Sequence, residues 1–344
     1  MKTEEKRHTI RSPRGVIGCL TAGFEMMGRN LLVVALPVVV DLFLWLGPRV
    51  SVRPLVQTTV HLLRVQSTSD PDVAGQVMLA TELLEQFGAR FNLLSVAAGI
   101  PLLHIPSLLA RRASVVASPL GNPRIFSVSS LPAMAPWWGG LALVGLVLGF
   151  FYLNEIAHQV NGWGDQFSLE EPESLGQGDG GGDSSVRATA WKFLRFALFA
   201  LGLLVVGSAV FPVWLLMVTV GTMVAQPLGI LFWLAGLGFV GYAALHLIFV
   251  IPGLLLGERP LLRAIGESVL LSHFNPWSVL GLVVLAVVIY EGLGFAWSLP
   301  GNDSWALLIG IVGNAFVATG LTSAAFVFYR DRLTLARQLS VISD

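Results

Sequence analysis

Apolar side chains in this chain fall in long unbroken runs, not in the alternation of a strand or the narrow stripe of a soluble helix. Six such runs stand out, at 30–47, 135–155, 193–219, 227–256, 277–298 and 304–328. A run of about 20 apolar residues, coiled as a helix, matches the hydrocarbon thickness of a bilayer. Backbone polar groups in lipid must bond within the segment, so each run is expected to be helical. The pattern predicts an all-α, polytopic transmembrane bundle of six spans. A seventh run, 91–110, carries Asn92, Ser95, Pro101, His104, Pro106 and Ser107. Its two prolines interrupt helical hydrogen bonding, and it is expected to lie at, or dip into, the outer interface.

Amphipathic segments sit between the runs. Ile17, Leu20, Phe24 and Met27 share a helical face before Arg29-Asn30 and the first span. Leu261, Leu262, Ile265 and Val269 do the same before Phe274-Asn275-Pro276 and the fifth, and Val186 to Arg195 offers a third copy. In the long connection 48–134, Asp70-Pro71 is a helix start. Val73, Val77, Ala80, Leu84, Phe87 and Phe91 then recur at helical spacing, as in a helix resting on lipid or on span ends.

The layout predicted is a cytoplasmic N-terminus 1–29 with its amphipathic helix, span 30–47, an extracytoplasmic insertion 48–134, span 135–155 and a cytoplasmic linker 156–192. Spans within 193–256, a cytoplasmic amphipathic helix 257–276, spans within 277–328 and a cytoplasmic tail 329–344 complete it. Between 159 and 186 the linker holds six acidic residues, no basic one, and the run Gly176-Gln177-Gly178-Asp179-Gly180-Gly181-Gly182-Asp183. Such a segment lacks the apolar surface to order itself, and its spacing fits no EF-hand loop.

Charge sets the orientation. With six spans and a cytoplasmic N-terminus, 14 of the 21 basic residues lie inside and the other seven fall in 48–134. That agrees with the positive-inside rule, and a seventh span at 91–110 would reverse the balance. The location expected is a bacterial cytoplasmic (inner) membrane, multi-pass, with both termini cytoplasmic. The 344 residues are 54% hydrophobic and 12% charged with zero formal net charge, so the basic footprint of a nucleic-acid binder is missing. Cys19 is the single cysteine, which excludes an internal disulfide. The charged first 14 residues, with no small-residue cleavage site after the first run, predict an uncleaved span and not a signal peptide.

The helix ending in Asn30, its echo from Glu267 to Trp277, the segment Gly313-Asn314-Ala315-Phe316 and the closing Phe328-Tyr329-Arg330-Asp331-Arg332 carry a family likeness. The chain resembles uncharacterised six-span bacterial integral membrane proteins, similar to the membrane domain associated with glycerophosphodiester phosphodiesterases. The likeness covers the spans and their cytoplasmic helices, not the outer insertion or the acidic linker. It implies a fold and a membrane location but no catalytic residues, because the soluble phosphodiesterase domain has no counterpart in these residues.

Two runs contain a carboxylate, Asp41 and Glu291, and a third contains Asn314. At about 1.5 Å per residue all three fall in the outer half of the bilayer. A charge at such depth costs roughly 2.5 to 3.5 kcal/mol on insertion scales, so these groups should face the bundle interior, a partner or water. One reading is an outward-facing polar pocket in which Asp41 and Glu291 exchange protons, with His246 as a relay from the inner half. The other is hydrogen-bonded packing between helices, which is preferred because no span supplies an Arg or Lys to pair them. Asn154-Glu155-Ile156-Ala157-His158 has the spacing of a zinc-protease helix but puts asparagine at the first ligand; it marks the water interface instead. No nucleophile elbow or phosphate loop appears. The tryptophans near run ends, among them Trp137, Trp138, Trp277, Trp297 and Trp305, form an aromatic belt.

The function expected is that of a non-enzymatic structural or partner-binding envelope component without cofactor or metal. Its partners would be the lipid bilayer and a protein met through the cytoplasmic amphipathic helices or the acidic linker. The alternative is a small-solute or proton-coupled transporter using Asp41, Glu291 and Asn314.

Overall fold

The computed structural model describes residues 13–66, 71–98, 105–111, 118–121, 123–165, 183–257, 259–301 and 303–343. Asp70, His104, residues 166–182 of the acidic linker and the first 12 residues lie outside this set. The chain is all-α apart from two three-residue strands. Among the described residues, five helices are long and apolar enough to cross a membrane: Leu131–Trp163, Val186–Val224, Gln226–Leu256, Pro276–Trp297 and Leu307–Leu335. Each contains or nearly contains one of the expected spans.

The first expected span differs. Its helix α2 covers only Leu32–Leu46, 15 residues, or about 22 Å, short of a ~30 Å hydrocarbon core. It reaches a membrane-spanning length only together with α1 (Val16–Arg29), across a break at Asn30-Leu31. The chain divides into two units, residues 1–29, 153–287 and 320–344 in one, and 30–152 and 288–319 in the other. The division falls inside three long helices, α6 (Leu131–Asp165), α11 (Pro276–Trp297) and α12 (Leu307–Ser343).

The first unit packs α1, the second half of α6, α7 (Asp183–Val224), α8 (Gln226–Leu247), α9 (Val250–Leu256), α10 (Leu261–Phe274), most of α11 and the end of α12. The proposed third amphipathic copy, Val186 to Arg195, is not a separate helix but the beginning of α7. The other two copies end at Asn30 and at Asn275-Pro276, whereas no Gly, Pro or Asn interrupts 186–201, so the helix simply continues.

Small residues set the close approaches of this unit. A Cβ on Gly23 of α1 would lie 2.6 Å from the Ala324 nitrogen and the Gly320 oxygen of α12. Cys19 is wholly buried on the same helix. Arg14 donates its backbone N–H to Asp331 at 2.6 Å. In the α7–α8 hairpin, Trp214 donates its indole N–H to the Phe232 carbonyl across Gly236. The remaining faces of that hairpin are apolar and exposed, with Leu204, Val206, Leu216, Leu231, Leu237 and Phe239 all more than half exposed.

α10 (Leu261–Phe274) packs through the face opposite Leu262 and Val269. Its buried side chains are Ala264, Ser268 and Ser272, while Leu262 is 83% exposed. The apolar stripe faces outward, and the stripe of small and hydroxyl residues packs inward. The reason is the break between α8 and α9. Ser268 donates to the His246 carbonyl at 2.6 Å and accepts the Phe249 N–H at 3.2 Å, and Ser272 donates to the Leu245 carbonyl at 2.9 Å. These groups lose their helical partners at the break, and the two serines replace them. Glu267 adds a polar knot, accepting from Tyr329 at 3.0 Å and from Arg263 at 3.1 Å, with Arg259 3.6 Å away.

The second unit holds α2, β1 (Arg49–Ser51), α3 (Arg53–Gln66), α4 (Pro71–Arg90), a 3₁₀ turn (Leu93–Ala98), α5 (Leu108–Arg111), β2 (Ile125–Ser127) and parts of α6, α11 and α12. β1 and β2 pair in parallel, with Arg49 opposite Ile125 and Ser51 opposite Ser127. The core joins Leu44 and Trp45 of α2 to Val50, Val52, Val56 and Val60, to Leu93, Leu94, Leu108 and Leu109, and to Leu307 and Ile311 of α12. The segment 48–134 therefore shares one packed interior with α2 and α12. α4 buries Thr81 and Gly88, while Leu84 and Phe91 of its apolar face pack at the edge of the core and Ala80 and Phe87 stay exposed. A Cβ on Gly88 would lie 2.9 Å from the Val56 Cβ, so the contact demands small residues that a hydrophobicity pattern does not register.

Candidate functional site

Asp41 and Glu291 both bind one short stretch, 105–111. Pro106 and Ser107 precede the single-turn helix α5, and Ser107 caps it by accepting the Ala110 N–H at 3.0 Å. Asp41 lies on α2 with no exposed surface. Its Oδ2 accepts the Leu108 N–H at 2.9 Å, and its Oδ1 accepts the Leu109 N–H at 3.2 Å and the Ser107 hydroxyl. Three donors from three consecutive residues thus occupy both carboxylate oxygens. Hydrogen bonds to a charged acceptor are about twice as strong as neutral ones, which offsets the cost of burying the group.

Glu291 is held differently. On α11 it pairs with Arg111, the last residue of α5, and the Arg111 guanidinium stacks 4.2 Å over the Tyr290 ring. Gly294, one turn on, leaves room for that guanidinium: a Cβ there would sit 3.1 Å from Nη1. The pair is partly open, with 60% of the Glu291 side chain and 33% of the Arg111 side chain exposed. Ion pairs of that exposure contribute about 0 to 1 kcal/mol.

Asn314 lies on α12, 1% exposed, with no acceptor for its Nδ2. It shares no hydrogen bond with Asp41 or Glu291. One turn further, Tyr152 of α6 donates to Thr319 at 3.0 Å, and Thr319 donates to the Ala315 carbonyl at 2.7 Å. His246 belongs to the other unit, where its Nδ1 bonds the Tyr242 carbonyl one turn back at 2.9 Å. Glu155 accepts from Gln159 at 3.3 Å on an exposed face of α6. Among the described residues no three His, Cys, Asp or Glu side chains gather as a metal site requires.

Asp41 and Glu291 thus both contact one peptide segment, 105–111. The residues that connect them, Ser107 and Arg111, are not among the candidate site residues read from the sequence, although Ser107 is one of the polar residues noted in the run 91–110. Their only signals are a Pro-Ser pair ahead of a short helix and an arginine two residues beyond two buried leucines.

Comparison with protein-family models, with curated proteins and with solved structures gives no match.

Proposed function

We propose that this chain is a non-enzymatic membrane protein with six spans, five of them the long helices and the sixth built from α1 and α2. In this reading it lies in a bacterial cytoplasmic membrane with both termini inside, as a structural or partner-binding component of the envelope. Within the second unit, the segment 105–111 of the outer platform is latched to α2 by Asp41 and to α11 by Glu291. The partners are the bilayer and a protein met at the cytoplasmic helices or the acidic linker.

One observation carries this reading: both oxygens of Asp41 are taken by donors from Ser107, Leu108 and Leu109. Three of the roughly four acceptor sites of that carboxylate are filled by one backbone segment, which offsets the cost of its burial and holds the segment in place. The transporter reading draws its support from Asn314, whose buried amide has an unused donor.

Reconstituted liposomes under an imposed proton gradient separate the two. The structural reading predicts the same proton leak for wild type, Asp41→Asn and Glu291→Gln, together with faster trypsin cleavage after Arg111 in the Asp41 variant. A wild-type proton flux abolished by either substitution, with cleavage at Arg111 unchanged, would establish transport instead.

A further inference from the structure

The second unit carries an open groove of about 400 Å³ that the latch does not use, lined among others by Leu46, Pro48, Ser118, Leu120, Arg124 and Phe126. That volume falls within the range of single small-ligand sites. The groove begins where α2 ends, and its far wall leads within five residues into α6, whose first turns carry Trp137 and Trp138. Both flanks are thus ends of apolar helices at the expected outer interface, where tryptophan collects.

The walls are apolar and their polar atoms are satisfied internally. Ser118 accepts the Leu120 N–H at 3.2 Å and the Gly121 N–H at 3.0 Å, and the Arg124 carbonyl accepts the Arg49 N–H at 2.8 Å. Gly47 donates to the Phe43 carbonyl at 2.9 Å. The rim bears Leu120, 69% exposed, and Phe126, 53% exposed, beside the exposed guanidinium of Arg124. No carboxylate pairs with that guanidinium among the described residues. An apolar trough with one unpaired cation at its mouth is complementary to an amphiphile with an anionic head.

We propose that this groove is a binding site for one outer-leaflet phospholipid, its acyl chain along Leu46, Leu120 and Phe126 and its phosphate on Arg124. The proposal rests on the six-span placement of the groove at the bilayer edge, but not on the roles of Asp41 and Glu291.

The test uses the full chain in nanodiscs of phosphatidylcholine doped with phosphatidylglycerol that carries a photoreactive group on one acyl chain. Crosslinked residues are mapped by mass spectrometry, and bound phosphatidylglycerol is counted after transfer to detergent. The expected result is crosslinking concentrated on Leu46, Leu120 and Phe126. Arg124→Gln should retain phosphatidylglycerol about fivefold less well, and Leu120→Ser, at an exposed tip, should lose the chain crosslinks with circular dichroism unchanged. Millimolar inorganic phosphate should leave retention as it was. Crosslinks confined to the α7–α8 hairpin would overturn the site while leaving the membrane reading intact, and crosslinks nowhere on the chain would overturn that reading. Displacement by free phosphate would show a headgroup-only anion site. A protein–protein crosslink in place of the lipid would make the groove a contact between copies.

Discussion

Two broken stretches of backbone, one in each unit, are repaired in the same way by different chemistry. At the break between α8 and α9, Ser268 and Ser272 of α10 supply neutral hydroxyls to the stranded groups of Leu245, His246 and Phe249. At the start of α5, Asp41 of α2 supplies a carboxylate to the N–H groups of Leu108 and Leu109. Buried backbone groups must find partners, and a neighbouring helix provides them in both places. The serines attract no functional suspicion, and Asp41 does only because it is ionisable. Judged by what it touches, it performs the same task as the serines with a stronger acceptor.

The comparison can be broken at its strong end first. Asp41→Ala leaves two buried N–H groups and the Ser107 hydroxyl without their acceptor, each costing about 1 to 3 kcal/mol. The expected loss is roughly 3 to 5 kcal/mol, read as a lower unfolding midpoint of the second unit in denaturant titration. A loss under 1 kcal/mol would mean that the segment is held by its apolar contacts alone.

The neutral repair should be weaker. Ser268→Ala removes one donor and one acceptor at the α8–α9 break, for an expected cost of about 1 to 2 kcal/mol. Faster amide exchange should be confined to Phe249 and its neighbours. Ser107→Ala strips the local cap of α5 but leaves the two Asp41–amide bonds, so a loss of about 1 kcal/mol is expected. A cost equal to that of Asp41→Ala would show that the serine, not the carboxylate, organises the segment.

Glu291→Gln lies at the weak end. An exposed pair contributes about 0 to 1 kcal/mol and is screened by salt. The variant should differ from wild type only at low ionic strength, and thermal unfolding with and without 0.5 M sodium chloride checks this. A salt-independent loss would place the pair in a drier setting than its exposure indicates.

The sequence made the long helices legible and left the inward faces of the short ones obscure. Apolar runs report length, and length identifies α6, α7, α8, α11 and α12 directly. Periodicity reports where apolar residues point, which in a membrane protein can be outward. In α10 the stripe containing Leu262 is exposed while Ala264, Ser268 and Ser272 pack inward. In α4 the packing face holds Thr81 and Gly88. Close helix contacts select small residues, and such residues leave no mark on a hydrophobicity plot.

At the candidate site, the depth and unusual character of Asp41 and Glu291 were readable, but their partners were not. Ser107 lies 66 residues from Asp41, and Arg111 lies 180 from Glu291. One chain offers no signal for pairings across such distances. Arg111 counted only as one more basic residue in the outer segment, so the cation that Glu291 seemed to lack went unrecognised.

Amide hydrogen exchange at Leu108 and Leu109, in wild type and in Asp41→Ala, tests the central claim most directly. If Asp41 is a structural latch, both amides are protected in wild type. In the variant they should exchange at least tenfold faster while the amides of α6 and α12 keep their protection. Equal exchange at Leu108 and Leu109 in the two proteins would contradict it, because the carboxylate would then be holding nothing in place.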